Sequence, residues 1–75
     1  MRHVRRLTCV IERDGSGYVS LCPELDVASQ GSTIEQARAS LIEAVELFFE
    51  AADPAEVKDR LRGEVYVTPI EVRVG

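Results

Sequence analysis

Residues 18–37, YVSLCPELDVASQGSTIEQA, change character halfway and decide the fold. The first half alternates apolar with small or polar residues, which predicts a strand that ends at Pro23, because proline cannot donate to a ladder. A short strand over residues 27–30 is then broken by Gly31. Thr33 begins a helical run, with a glutamine three residues later as in a capping box. The stretch therefore predicts two strands that lead into a helix.

The preceding residues predict a β-hairpin. Residues 4–13, VRRLTCVIER, favour a strand, and the turn DGSG over residues 14–17 supplies two glycines that can adopt positive φ. A symmetric loop would place Cys9 opposite Cys22, whereas a bulge would separate them. We interpret both cysteines as buried, reduced thiols. A cross-strand disulfide is the alternative, although it would be unusual in the cytoplasm.

The helix that follows is amphipathic. Thr33 is the preferred N-cap, and Ser32 with Glu35 also fits a capping box. Ile42 and Phe49 widen the apolar face on one flank, and Leu47 and Ala44 widen it on the other. The centre of the face consists of Ile34, Ala37, Leu41, Val45, Phe48 and Ala52.

The last third of the chain predicts a short helix and a final strand. Asp53 is a suitable N-cap with Pro54 at the first helical position, and Gly63 is a suitable C-terminal stop. Residues 64–74 alternate apolar and polar side chains, which favours a strand, and Pro69 makes it a bent or edge strand.

Together these elements predict one α+β domain over residues 1–75. The expected fold is a two-layer β-β-β-α-β sandwich, in which an antiparallel meander is joined by a fourth strand parallel to the first, with one long and one short helix. The core is small and one sheet face is bare, so we expect a dimer or tetramer. Its predicted interface consists of Ile42, Leu47 and Phe49.

The charge distribution bears on the choice of partner. The net charge is -4, and residues 12–56 carry ten acids against two bases, Arg13 and Arg38. Such a chain binds phosphate poorly, so direct nucleic-acid binding through Arg2, Arg5 and Arg6 is disfavoured. An acidic face is suited to binding a basic partner. The alternative is that the acidic residues only form an ordinary solvated face.

Residue patterns for catalysis are not found. Strand one has no central acid for a two-metal site, His3 alone completes neither a metal site nor a triad, and there is no phosphate-binding loop. We expect no enzyme activity, no cofactor and no metal. No apolar run reaches the length of a membrane span or a signal peptide, so a cytoplasmic protein without membrane contact is expected.

The stretch quoted above resembles the signature of the HicB family of antitoxins. The shared features are the aromatic-Val-small start at Tyr18, then Pro23 and Leu25, the Gln30-Gly31 turn, the Thr33 cap and the opening Glu35-Gln36-Ala37 of an amphipathic helix. IEAVELFFE, residues 42–50, continues the resemblance.

The resemblance implies a degenerate RNase H-like fold without nuclease activity, acting in a prokaryotic toxin–antitoxin system. Members neutralise HicA, a small basic toxin with a double-stranded-RNA-binding-like fold that cleaves mRNA. Many also carry a C-terminal DNA-binding module, which we do not expect here because the sequence ends at Gly75, directly after the last predicted strand. The predicted toxin-binding residues are Glu35, Glu43, Glu46 and Glu50, with Glu24 and Asp26 of the preceding loop.

The alternative function is that of an orphan homo-oligomeric scaffold or ligand-binding domain without a toxin partner. The signature residues end strands, turn the chain or cap a helix, so they support the fold more directly than the function.

Overall fold

The computed structural model describes residues 5–75, which contain three strands and two helices. These are β1 (Val10–Asp14), β2 (Gly17–Cys22), β3 (Val27–Gly31), α1 (Ile34–Ala51) and α2 (Pro54–Arg60). The strands form an antiparallel meander in the order β1-β2-β3. The predicted α+β class, the meander and the pair of one long and one short helix are confirmed. The sequence expectations for Arg2, His3 and Val4 lie outside the described residues.

The hairpin loop is symmetric. Asp14 pairs with Gly17, and the same register continues without a bulge to Val10 opposite Leu21. Gly15 has a φ of 62°, and positive φ at the first central position alone is the pattern of a type II′ turn, which suits the twist of a hairpin. The glycine of this turn therefore fixes which side chains of β1 face the core.

The first strand is shorter than predicted, because it begins at Val10 instead of residue 4. Pro23 ends β2, so residues 5–8 have no neighbouring backbone on that side to pair with. The Thr8 N–H instead donates to the side chain of Glu24. Residues 5–9 thus lie outside the ladder.

Both helices begin at the predicted caps. The Thr33 hydroxyl accepts a hydrogen bond of 3.0 Å from the Gln36 N–H, and the Gln36 side chain in turn accepts one of 2.9 Å from the Ser32 N–H. Asp53 accepts from the Ala55 N–H at 2.9 Å. These side chains satisfy N–H groups that a helix start leaves without intrahelical partners.

Small residues let α1 approach the sheet closely at its start. The helix packs on one face of the sheet, against β3 and β2 more than against β1. Ser20 and Ala37 are fully buried in this contact, and the Ser20 hydroxyl donates to the Ala37 carbonyl at 2.8 Å. Larger side chains fill the remaining core, which consists of Cys22, Leu25 and Leu41 with Leu7, Val27, Val45, Phe48, Phe49 and Leu61 packed around them.

Arg60 joins α2 to the rest of the domain. Its guanidinium donates to the Leu25 carbonyl, pairs with Glu56 at 3.1 Å and lies 5.0 Å from the centroid of the Phe48 ring. A cation over an aromatic face is attracted by the ring quadrupole. The contacts with Leu25 and Phe48 join the second helix to the rest of the domain, whereas the pair with Glu56 lies within α2.

The prediction of a fourth strand over residues 64–74 is wrong for the single chain. Residues 64–75, the C-terminal segment, form no helix or strand and are exposed throughout. Alternating valines supply the propensity for a strand, but a strand also needs a partner, and none of the described elements pairs with this segment. No helix within residues 5–75 has both the length and the apolarity needed to cross a membrane.

Candidate functional site

Four exposed glutamates form an acidic stripe along α1: Glu35, Glu43, Glu46 and Glu50. At 3.6 residues per turn, their positions fall within roughly 80° of the helix circumference. None of the four carboxylates forms an ion pair or a side-chain hydrogen bond within the described part of the chain. The stripe is therefore a one-sided surface of negative charge with its acceptors free.

Glu24 and Asp26, the predicted additions to this surface, have different surroundings. Glu24 is half-buried, and its carboxylate accepts from the Thr8 N–H at 3.1 and 3.0 Å and from the Thr8 hydroxyl at 2.7 Å. This carboxylate ties residues 5–9 to the loop after β2. Asp26 is exposed with a φ of 55°, a left-handed conformation that aspartate tolerates better than most residues. Of the two, only Asp26 presents its carboxylate to solvent without an internal role.

The surroundings of Glu24 and Cys22 change the pKa values of both groups. Burial disfavours the charged form of Glu24, but the Thr8 hydrogen bonds outweigh this effect and hold the pKa below its ordinary value. Burial raises the pKa of the Cys22 thiol, whose sulfur lies 3.6 Å from Glu24 Oε1. A thiol with a raised pKa is a poor nucleophile.

The two cysteines are both free, but only Cys22 is buried. The prediction of two buried thiols is therefore wrong for Cys9, which is exposed directly before β1. The shortened first strand explains the difference, because Cys9 lies where the chain leaves the ladder.

The lowered pKa of Glu24 predicts acid sensitivity. A carboxylate whose pKa is lower in the folded state stabilises the fold above its unfolded value, about 4.5, and this contribution is lost as the pH falls through the folded value. Glu24→Gln should therefore lower the melting temperature at pH 7 by about 5–10 °C, as expected for losing roughly 1–2 kcal/mol of charged hydrogen bonding, and by much less at pH 3. Melting curves followed by circular dichroism between pH 7 and 3 measure this.

Two further variants identify the source of the effect. Thr8→Val removes only the hydroxyl donor and should give a smaller loss with the same dependence on pH. Glu12→Gln, an exposed carboxylate on β1, should leave the melting temperature nearly unchanged at every pH. If Glu24→Gln and Glu12→Gln follow the same curve, the Thr8–Glu24 contact contributes nothing to stability.

The predicted interface residues lie on two different flanks of α1. Ile42 and Leu47 are 45% and 56% exposed, and Phe49 is half-buried with its ring edge against Phe48. Ile42 and Phe49 share one flank, whereas Leu47 lies beyond the acidic stripe on the other. A single flat interface would therefore not cover all three.

A groove between residues 5–9 and α1 was not predicted. It has a volume of about 550 Å³, its apolar lining includes Leu7, Ile42 and Phe49, and Arg38 lies at its side. The spacing of Arg38, Ile42, Val45 and Phe49 on one helix flank is visible in the sequence, but the separation of residues 5–9 from the ladder is not.

The described residues offer no metal site, because no three His, Cys, Asp or Glu side chains within residues 5–75 lie close enough to hold an ion. Comparison of the chain with protein-family models, with curated proteins and with solved structures finds no match.

Proposed function

We propose that this chain is a HicB-like antitoxin of a prokaryotic cytoplasm, a single domain without catalytic residues or cofactor. It neutralises a small basic HicA-type toxin by covering the surface with which the toxin binds mRNA. The support is the resemblance to the family over about residues 4–50, which the signature residues from Tyr18 onward carry, together with the α+β fold.

The acidic stripe is the main support for the proposed mode of binding. An RNA-binding surface must present Lys and Arg to phosphates. Four carboxylates lie on one side of α1, with no ion pair inside the described residues, and they imitate the negative charges of the RNA phosphates. Asp26 extends the proposed surface, and Glu24 acts by holding residues 5–9 in place.

The triple variant Glu43→Gln, Glu46→Gln and Glu50→Gln tests the stripe. Charges at the rim of an interface act mainly through the association rate, so we expect association with the toxin to be about tenfold slower at low salt. The difference in association rate between the parent and the triple variant should shrink as the salt concentration rises, because salt screens the carboxylates of the parent. Stopped-flow association across a salt series, with circular dichroism to show that the fold is retained, provides the measurement.

A matched variant separates the stripe from net charge. Glu12→Gln, Asp14→Asn and Asp59→Asn together remove the same number of negative charges, but from exposed positions outside α1. This variant should associate with the toxin at a rate within about twofold of the parent. Equal slowing by both triple variants would mean that only total charge matters. Unchanged binding by the stripe variant would place the interface on the bare sheet face or an edge strand.

A second candidate function is a homo-oligomeric scaffold or ligand-binding domain without a toxin. The open apolar groove beside α1 favours this function, since an unfilled apolar surface calls for an occupant. Co-expression with the product of the adjacent gene followed by pull-down decides between the two. A small basic protein captured in this way supports the antitoxin, and failure to capture one supports the scaffold.

A further inference from the structure

The apolar groove is lined by residues 5–9, which lead directly into a strand with an unpaired edge. β1 pairs only with β2 among the described strands, so its other edge has free N–H and C=O groups. Because α1 covers β3 and β2 more than β1, the core is open on this side. Leu7, Cys9, Leu41, Ile42, Val45 and Phe49 line the opening.

The C-terminal segment is an unpaired strand-like chain in the same molecule. Val65 and Val67, then Ile70, Val72 and Val74, alternate with polar or small residues and are all exposed. Among residues 5–75, the side-chain hydrogen bonds of the segment stay within it, between Tyr66 and Glu64 and between Thr68 and Pro69.

The dimensions of the chain agree with an extended segment. The radius of gyration is 14.6 Å and the longest dimension is 51 Å. A compact domain of this length has a radius of gyration of about 11 Å. The segment therefore points away from the domain instead of folding back on its own groove.

We propose that the C-terminal segment of one copy pairs as a strand with the free β1 edge of a second copy and fills that copy's groove, reciprocally, in a two-fold dimer. The run Ile70 to Val74 has the same five-residue length as β1. Reciprocal exchange fills both grooves and pairs both edges with closed symmetry. This inference does not depend on the antitoxin proposal.

Charge supports the second copy as the occupant. The groove lining contains Arg5, Arg6 and Arg38 against a single acid, Glu46. The C-terminal segment carries two acids, Glu64 and Glu71, against one base. Opposite charges across an interface favour this pairing.

Cys9 provides a native probe for the exchange. One chain carries Cys9→Ser and one of the substitutions Ile70→Cys, Val72→Cys or Val74→Cys. The second chain, with a different affinity tag, keeps Cys9 and its natural segment. Both chains carry Cys22→Ala, because Cys22 also lines the groove. Co-expression and mild oxidation should join the two chains at one or two of these positions, since a disulfide requires Cβ atoms about 3.5–4.5 Å apart. Non-reducing gels after tandem purification detect the bond.

Further results would overturn the proposal. In single chains that keep Cys9 and carry one of these cysteines, a disulfide within one chain shows that the segment fills its own groove. Absence of any bond at all three positions, together with a monomer in sedimentation at micromolar concentration, excludes exchange.

A full-length surface variant gives an independent measurement. Val72→Asp should convert the sedimenting dimer to monomer without loss of helical signal, because Val72 is exposed in the single chain. Tyr66→Asp, at an 80% exposed position that alternates with Val65 and Val67, should remain dimeric. A dimer that survives Val72→Asp contradicts the proposal.

Discussion

Replacing Gly31 with alanine is expected to destabilise the fold by about 3 kcal/mol or more, a large fraction of the roughly 4–11 kcal/mol that a chain of this length has in total. A Cβ at this position would overlap the Ala37 nitrogen and lie 2.7 Å from the Gln36 carbonyl carbon. These are backbone atoms of the first turn of α1, so the whole helix would have to move off the sheet. Urea unfolding followed by circular dichroism measures the loss.

Gly63→Ala is the matched control for this variant. A Cβ at Gly63 meets no heavy atom within 4 Å, and its φ lies outside the left-handed region, as does that of Gly31. Its expected effect is within about 0.5 kcal/mol of the parent. If the two alanine variants unfold at the same urea concentration, α1 can rise from β3 at little cost, and the small residues at the contact are not needed for stability.

The sequence predicted those parts of the fold that local chemistry determines. Pro23 ends β2, Thr33 and Asp53 cap the helices, and Gly15 turns the hairpin, each through its own backbone geometry or side chain. Such features depend on neighbours within a few residues, and the sequence displays them directly.

The errors come from interactions over long sequence distances. Val65 to Val74 has the alternation of a strand, but whether a strand forms depends on a partner edge elsewhere, and alternation contains no information on that partner. Residues 5–8 likewise have strand propensity, yet Thr8 bonds to Glu24, sixteen positions away.

In the candidate surface, too, the features set by local spacing were predicted and those set by long-range contacts were not. Helical spacing was sufficient to place Glu43, Glu46 and Glu50 together, and the structure leaves them exposed. It could not show that the Glu24 carboxylate is occupied by Thr8, or that residues 5–9 and α1 enclose an apolar groove. Both depend on how the loop and the helix meet the sheet.

Truncating Leu25 to alanine should destabilise the fold by about 3–5 kcal/mol, the upper part of the range for a buried leucine. Leu25 is fully buried and forms the core with Cys22 and Leu41. Urea unfolding of Leu25→Ala beside Leu21→Ala measures this, because Leu21 is 37% exposed and its truncation should cost about 1 kcal/mol.

The high value rests on how firmly the Leu25 backbone is held. A cavity costs least where the surrounding chain can collapse into it, and loops usually collapse more easily than strands or helices. Here the Leu25 N–H donates to the Cys22 carbonyl at 3.3 Å, and its own carbonyl accepts from Arg60 of α2. Both sides of the residue are thus anchored to different elements, so the cavity should remain open. A loss for Leu25→Ala no greater than that for Leu21→Ala would show that the loop relaxes and that Arg60 does not fix it.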